Sequence, residues 1–183
     1  MNSSAGIEAV ATYLPAESAS LEQLSERGLL KGSVVALRSF GFDRVPLAGD
    51  ESNVDMAILA AQKLLSESDI DPEKIGLILY ATALSSSATM WDAADARGGT
   101  SGVLQLDDVS DLFKYPASLL QSELDLPNAS VMGINQVGCA SIFAALRMAR
   151  AMISSESELD SVLCVSADKF PPGEPRDLVY NVV

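Results

Sequence analysis

The chain contains no histidine at all and only two cysteines, Cys139 and Cys164, among its 183 residues. Two cysteines make no disulfide framework, and their scarcity fits a reduced, cytoplasmic compartment. With no histidine, and no ligand-type neighbours at metal spacing around either cysteine, no metal site is expected. Basic side chains are also few: 12 against 25 acidic ones, a net charge of −13. An acidic surface repels phosphate backbones and anionic headgroups, so neither nucleic acid nor a membrane is an expected partner. No apolar run approaches the roughly 20 residues that a membrane span needs. The opening residues, MNSSAGIEAV, lack the basic and apolar regions of a signal peptide.

What is present reads as a globular chain. Hydrophobic residues make up 48% and charged residues 20%, enough for one ordinary domain with a sizeable core. Residues 5–14 are expected to form a first strand, ended by Pro15. Ser20 caps a short helix that Gly28 closes. Residues 31–50 are expected to be irregular. A helix follows from 53 to about 65, its broad apolar face built by Val54, Ala57, Ile58, Ala61, Leu64 and Leu65. After a turn at Asp71-Pro72, the run IGLILYA at 75–81 is nearly all apolar, the mark of a strand buried on both faces of a parallel sheet. A long polar, glycine-containing excursion occupies 84–111; long excursions in compact domains are more often functional than decorative. Then come a helix at 116–124, a strand at 131–136, a helix from 139 to about 153 and a buried strand at 160–167. Strands and helices alternate, so the expected class is α/β, with a layered architecture.

Cys139 carries the most chemistry. It sits where an apolar strand stops at Gly138 and a helix begins. The positive end of a helix favours a thiolate, and its unpaired N–H groups can hold a developing oxyanion. A buried structural cysteine is the competing explanation, because free cysteine packs as a small hydrophobe. Cys164, between Leu163 and Val165, has the pattern of a core residue. Arg38 and Arg44 flank Phe40-Gly41-Phe42 and could meet phosphates or form surface ion pairs. The glycine-rich run 96–102 matches neither phosphate-loop pattern and reads as a flexible loop. Trp91 is either an exposed contact or a packing anchor. Asp107, Asp108 and Asp111 lack the spacing of a calcium loop and read as a solvated face.

Four segments in order resemble one family. They are Leu37-Arg38-Ser39-Phe40-Gly41-Phe42-Asp43-Arg44, the passage Ser68 through Thr82 with its Ile75-Gly76-Leu77-Ile78-Leu79-Tyr80-Ala81-Thr82 strand, Gly138-Cys139-Ala140-Ser141-Ile142-Phe143, and the strand Val162 to Asp168. Together they are similar to the amino-terminal half of a thiolase-superfamily condensing enzyme of the β-ketoacyl-acyl-carrier-protein synthase III type. The resemblance implies a thiolase-like layered α-β-α fold, with residues 1–183 as the amino-terminal half domain, a long insertion at 84–111, and the carboxy-terminal half absent.

It also implies an acyltransferase. Cys139 would be acylated from a coenzyme A or carrier-protein thioester, and the acyl group would pass to a carbon, oxygen or nitrogen nucleophile. The Cys139 N–H would join the oxyanion hole, and Arg38 matches the family's cofactor-contacting arginine. No cofactor is bound permanently; a coenzyme A or phosphopantetheine thioester is the substrate. The family's catalytic His and Asn lie in the second half, so a second chain is expected to supply them, its first strand pairing into this sheet. Dimerisation of the assembled unit and an acyl carrier protein complete the expected partners. Two departures stand out: Ser141 where the family has glycine, and the length of the excursion. The alternative is a non-catalytic structural subunit of a heteromeric complex.

Overall fold

The computed structural model of the chain describes residues 5–83, 115–170, 173, 175 and 176. Its centre is a three-stranded parallel sheet in the order β4-β3-β5, built from β3 (Ile75–Ala81), β4 (Ser130–Ile134) and β5 (Ser161–Ser166). The ladder places Leu77 opposite Ser130 and Ala81 opposite Ile134; on the other side Ala81 pairs with Ser166. All three strands therefore end at the same edge of the sheet.

The unbroken apolar run of β3 has a direct structural reason. Side chains alternate across a strand. Ile78 and Tyr80 face a core with Ala57 and Ala61 of α3 (Asn53–Glu67) and Leu120 of α4 (Pro116–Glu123). Leu77, Leu79 and Ala81 face the opposite core, with Ala145 and Ala149 of α5 (Ser141–Ser155). The result is helix, sheet, helix, as the alternation of elements predicts. Leu77, Ile78 and Leu79 are at most 2% exposed, and each such burial contributes about 1.5–3 kcal/mol relative to exposure.

A smaller unit precedes this sheet. β1 (Ser18–Ser20) and β2 (Arg44–Pro46) form an antiparallel pair. Beside them lie α1 (Leu21–Glu26) and α2 (Val34–Ser39), joined through the buried Leu21 and Leu37. Ser20 and Gln23 form a reciprocal capping box at the start of α1, and Ser52 with Asp55 does the same for α3.

Three expectations require correction. Residues 5–14 join no ladder among the described residues, and Ile7, Val10 and Leu14 are 68%, 76% and 68% exposed. Strand-like sequence becomes a strand only where a neighbouring backbone accepts its hydrogen bonds. Residues 31–50 are not wholly irregular, since they contain α2 and β2. α2 is short and has no side-chain cap bond; packing of Leu37 on Leu21, not local propensity, holds it. The helix after Cys139 begins as a 3₁₀ turn, Gly138–Ala140, and becomes α-helical at Ser141. The excursion 84–111, with Trp91, the glycine-rich run and the aspartate cluster, lies outside the described residues, as does 177–183.

Candidate functional site

The C-terminal edge of the parallel sheet gathers Thr82 and Ala83 after β3, the loop 135–140 after β4, and Asp168 after β5. Open parallel sheets bind ligands along this edge, because the strand-to-helix loops collect there.

Cys139 is exposed within that loop. Two left-handed residues shape its approach: Gln136 at φ 63° and Gly138 at φ 61°. A left-handed glutamine is uncommon, and such residues persist where surrounding structure imposes them, often at functional sites. At Gly138 the requirement is conformational, since a Cβ placed there would meet nothing within 4 Å. The turn sets Cys139 at the mouth of α5. The cap residue, Ala140, offers no side-chain acceptor, and the first turn carries no acidic residue. With no acidic residue in its own cap or first turn, the positive end of α5 favours negative charge at the loop.

The second thiol behaves in the opposite way. Cys164 lies in β5, packed against the core under α5, and burial pushes its thiol up to about 11. It stays a neutral packing residue at ordinary pH.

Polar contacts tie the sheet edge together. Asp168 accepts the Thr82 hydroxyl and the N–H of Ala83, the latter at 3.1 and 3.0 Å from its two oxygens. Thr82 donates its own N–H to the Ile134 carbonyl at 3.0 Å. The Tyr80 hydroxyl donates to the Ala167 carbonyl at 3.2 Å. Thr82 and Asp168 both lie in segments that resemble the family, but nothing in the sequence gives either a role. Their pairing spans 86 positions of the chain, so no local pattern could announce it.

Arg38 sits elsewhere, on α2. Its guanidinium meets Glu22 at 2.9 Å and Asp43 at 3.9 Å, with half of its side chain in solvent. No contact among the described residues joins it to Cys139. Arg44 holds the small sheet together, donating to the Ser18 hydroxyl at 3.0 Å and the Ser18 carbonyl at 2.8 Å.

A cleft of about 1110 Å³ opens between residues 11–15, the start of α3 and residues 166–170; Asp168, Lys169 and Arg176 line it, and Cys139 does not. Burial lowers the Arg176 guanidinium from its usual range, and the group lies 5.6 Å from the Phe170 ring. No helix among the described residues is long and apolar enough to cross a membrane.

This arrangement of three parallel strands between layers of helices is that of a thiolase-like fold. Solved structures of ketosynthase III-type condensing enzymes share it, as does an acyltransferase. The acyltransferase ChlB3 matches at TM-score 0.66 and 28% identity, over 91% of this chain and 42% of that one. The 3-oxoacyl-acyl-carrier-protein synthase III of Aquifex aeolicus matches at 0.64 and 22%, over 87% and 43%. MvaS in complex with 3-hydroxy-3-methylglutaryl coenzyme A matches at 0.61 and 24%, over 88% and 34%. The chain thus spans less than half the length of the structures it resembles, the share expected of an amino-terminal half. No protein-family model and no curated protein matches it.

Proposed function

We propose that this chain is the cysteine-bearing half of an acyltransferase of the ketosynthase III type. The observation that carries the reading is the exposed Cys139, set by two left-handed residues at the mouth of α5. The Cys139 thiolate attacks the carbonyl carbon of a coenzyme A or phosphopantetheine thioester. The carbonyl electrons move onto oxygen, and N–H groups at the helix start stabilise that charge. Collapse of the tetrahedral species breaks the original C–S bond and releases the carrier thiol, which takes up a proton. The acyl group, now a thioester of Cys139, passes to a carbon, oxygen or nitrogen nucleophile, and the cysteine is regenerated.

Proton transfer needs a base, and these 183 residues contain no histidine. A His and an Asn carried outside them, on a partner chain bearing the second half of the fold, would fill that role. Coenzyme A or an acyl carrier protein delivers the acyl group, and the assembled unit dimerises. The ChlB3 and MvaS matches support acyl-thioester chemistry at this fold.

The test is incubation of the full natural protein with acetyl-coenzyme A, followed by peptide mass spectrometry. An acetyl adduct on the Cys139 peptide, absent in Cys139→Ala, is expected. No adduct from any acyl thioester, with the assembly intact, would assign the chain to a structural subunit instead.

A further inference from the structure

The acyl-transfer reading leaves one polar cluster at the sheet edge without a task. Thr82 is 4% exposed, yet it makes hydrogen bonds toward both neighbouring strands. Its hydroxyl donates to Asp168, two residues past β5, and its N–H donates to Ile134, the last residue of β4, at 3.0 Å. Asp168 also holds the N–H of Ala83 between its two oxygens, at 3.1 and 3.0 Å. One buried threonine thereby joins the ends of three strands. From Ile134 the chain passes directly through the left-handed Gln136 and Gly138 to Cys139.

We propose that Asp168 is a positioning residue for Cys139, acting through Thr82 to fix where β4 ends and where the turn presenting the thiol begins. The inference rests on the acyl-transfer reading for its functional meaning. Aspartate suits the place because an ionised carboxylate only accepts. The Ala83 N–H lies within 3.1 Å of both oxygens. Either orientation of an asparagine amide would therefore set an NH₂ group against that N–H, donor facing donor. The Thr82 hydroxyl, being buried, needs its acceptor as well.

The test compares the full natural protein with Thr82→Val, Thr82→Ser and Asp168→Asn. Two rates are read at Cys139: alkylation by iodoacetamide and acylation by acetyl-coenzyme A. Labelling of Cys164 in the same digests reports loss of fold. Thr82→Val keeps the shape and removes the hydroxyl; it and Asp168→Asn are expected to slow both rates about tenfold or more while Cys164 stays protected. Thr82→Ser keeps the hydroxyl and is expected to remain within about twofold of the parent. Unchanged rates in Thr82→Val overturn the proposal, as does an equal loss in Thr82→Ser. If Asp168→Asn unmasks Cys164, Thr82→Val decides alone. A parent protein alkylated but never acylated at Cys139 removes the acyl-transfer reading and leaves the positioning test standing on alkylation.

Discussion

A methyl group on Gly76 would lie 2.7 Å from the Cδ1 atom of Leu159. The contact lies where β3 meets β5 across an irregular register between Ile75 and Leu77. Leu159 is 9% exposed and belongs to the core beneath α5. Gly76→Ala is expected to destabilise the chain by about 1–3 kcal/mol, because the buried leucine has little room to retreat. Leu159→Ala should cost about 2–5 kcal/mol through the cavity it leaves. Together the two should cost less than their sum, since the smaller side chain makes room for the methyl. Denaturant unfolding of all three variants measures this, and strict additivity would rule the contact out.

Gly138 tests backbone conformation without a packing change. Its added Cβ meets nothing within 4 Å, but its φ is 61°. Gly138→Ala is therefore expected to cost about 1–2 kcal/mol through the left-handed conformation alone. It should also slow acylation of Cys139, because relief of the strain moves the turn. A stability loss with an unchanged acylation rate would separate the turn from the chemistry.

The two thiols should differ sharply in reactivity. Maleimide labelling at pH 8 is expected to modify the exposed Cys139 and spare Cys164, whose thiol burial raises to about 11. Prompt labelling of both would contradict the placement of Cys164. Cys139→Ala should change stability by no more than about 0.5 kcal/mol, because the side chain lies on the surface.

The same burial sets a pH dependence. The Cys164 thiol ionises near its ordinary 9.0 in the unfolded chain and near 11 in the fold. Between those values the unfolded state binds fewer protons, so stability falls as pH rises. Below about 9 both states hold the proton and the effect vanishes. Cys164→Ala should flatten this alkaline slope in thermal melts taken from pH 8 to 11. An identical slope in the variant would place the titration elsewhere.

Ser52 caps α3 reciprocally: its hydroxyl accepts the Asp55 N–H at 3.0 Å, and Asp55 accepts the Ser52 N–H at 2.9 Å. Ser52→Ala is expected to cost about 1 kcal/mol, read as a lower Tm. Asp55→Ala should cost a comparable amount, because it removes the bond to a carboxylate and a negative charge at the positive end of the helix. An Asp55→Ala variant as stable as the parent would rule that half of the cap out.

Much of the architecture is written in local pattern. The run at 75–81 is apolar at every position except Gly76 because β3 is buried on both faces, and Ser52 and Pro116 mark helix starts by capping chemistry and a preset φ. Cys139 could be picked out because a strand pattern changes to a helical one at Gly138. Where the pattern misled, the deciding partner was distant. Residues 5–14 are strand-like, but no neighbouring strand completes them among the described residues. α2 depends on Leu21, some sixteen positions before Leu37 in the chain.

The sequence alone determined the α/β class, the buried central strand, the absence of a histidine base and the one cysteine poised at a helix start. These follow from composition and from periodicities of two and 3.6, which each segment carries by itself. Only the tertiary structure decided that Cys139 is exposed while Cys164 is not, that Arg38 pairs with Glu22, and that Asp168 reaches Thr82 and Ala83. Exposure and hydrogen-bond partnership are properties of groups brought together across the sheet, and parallel strands bring together residues that lie far apart in the chain.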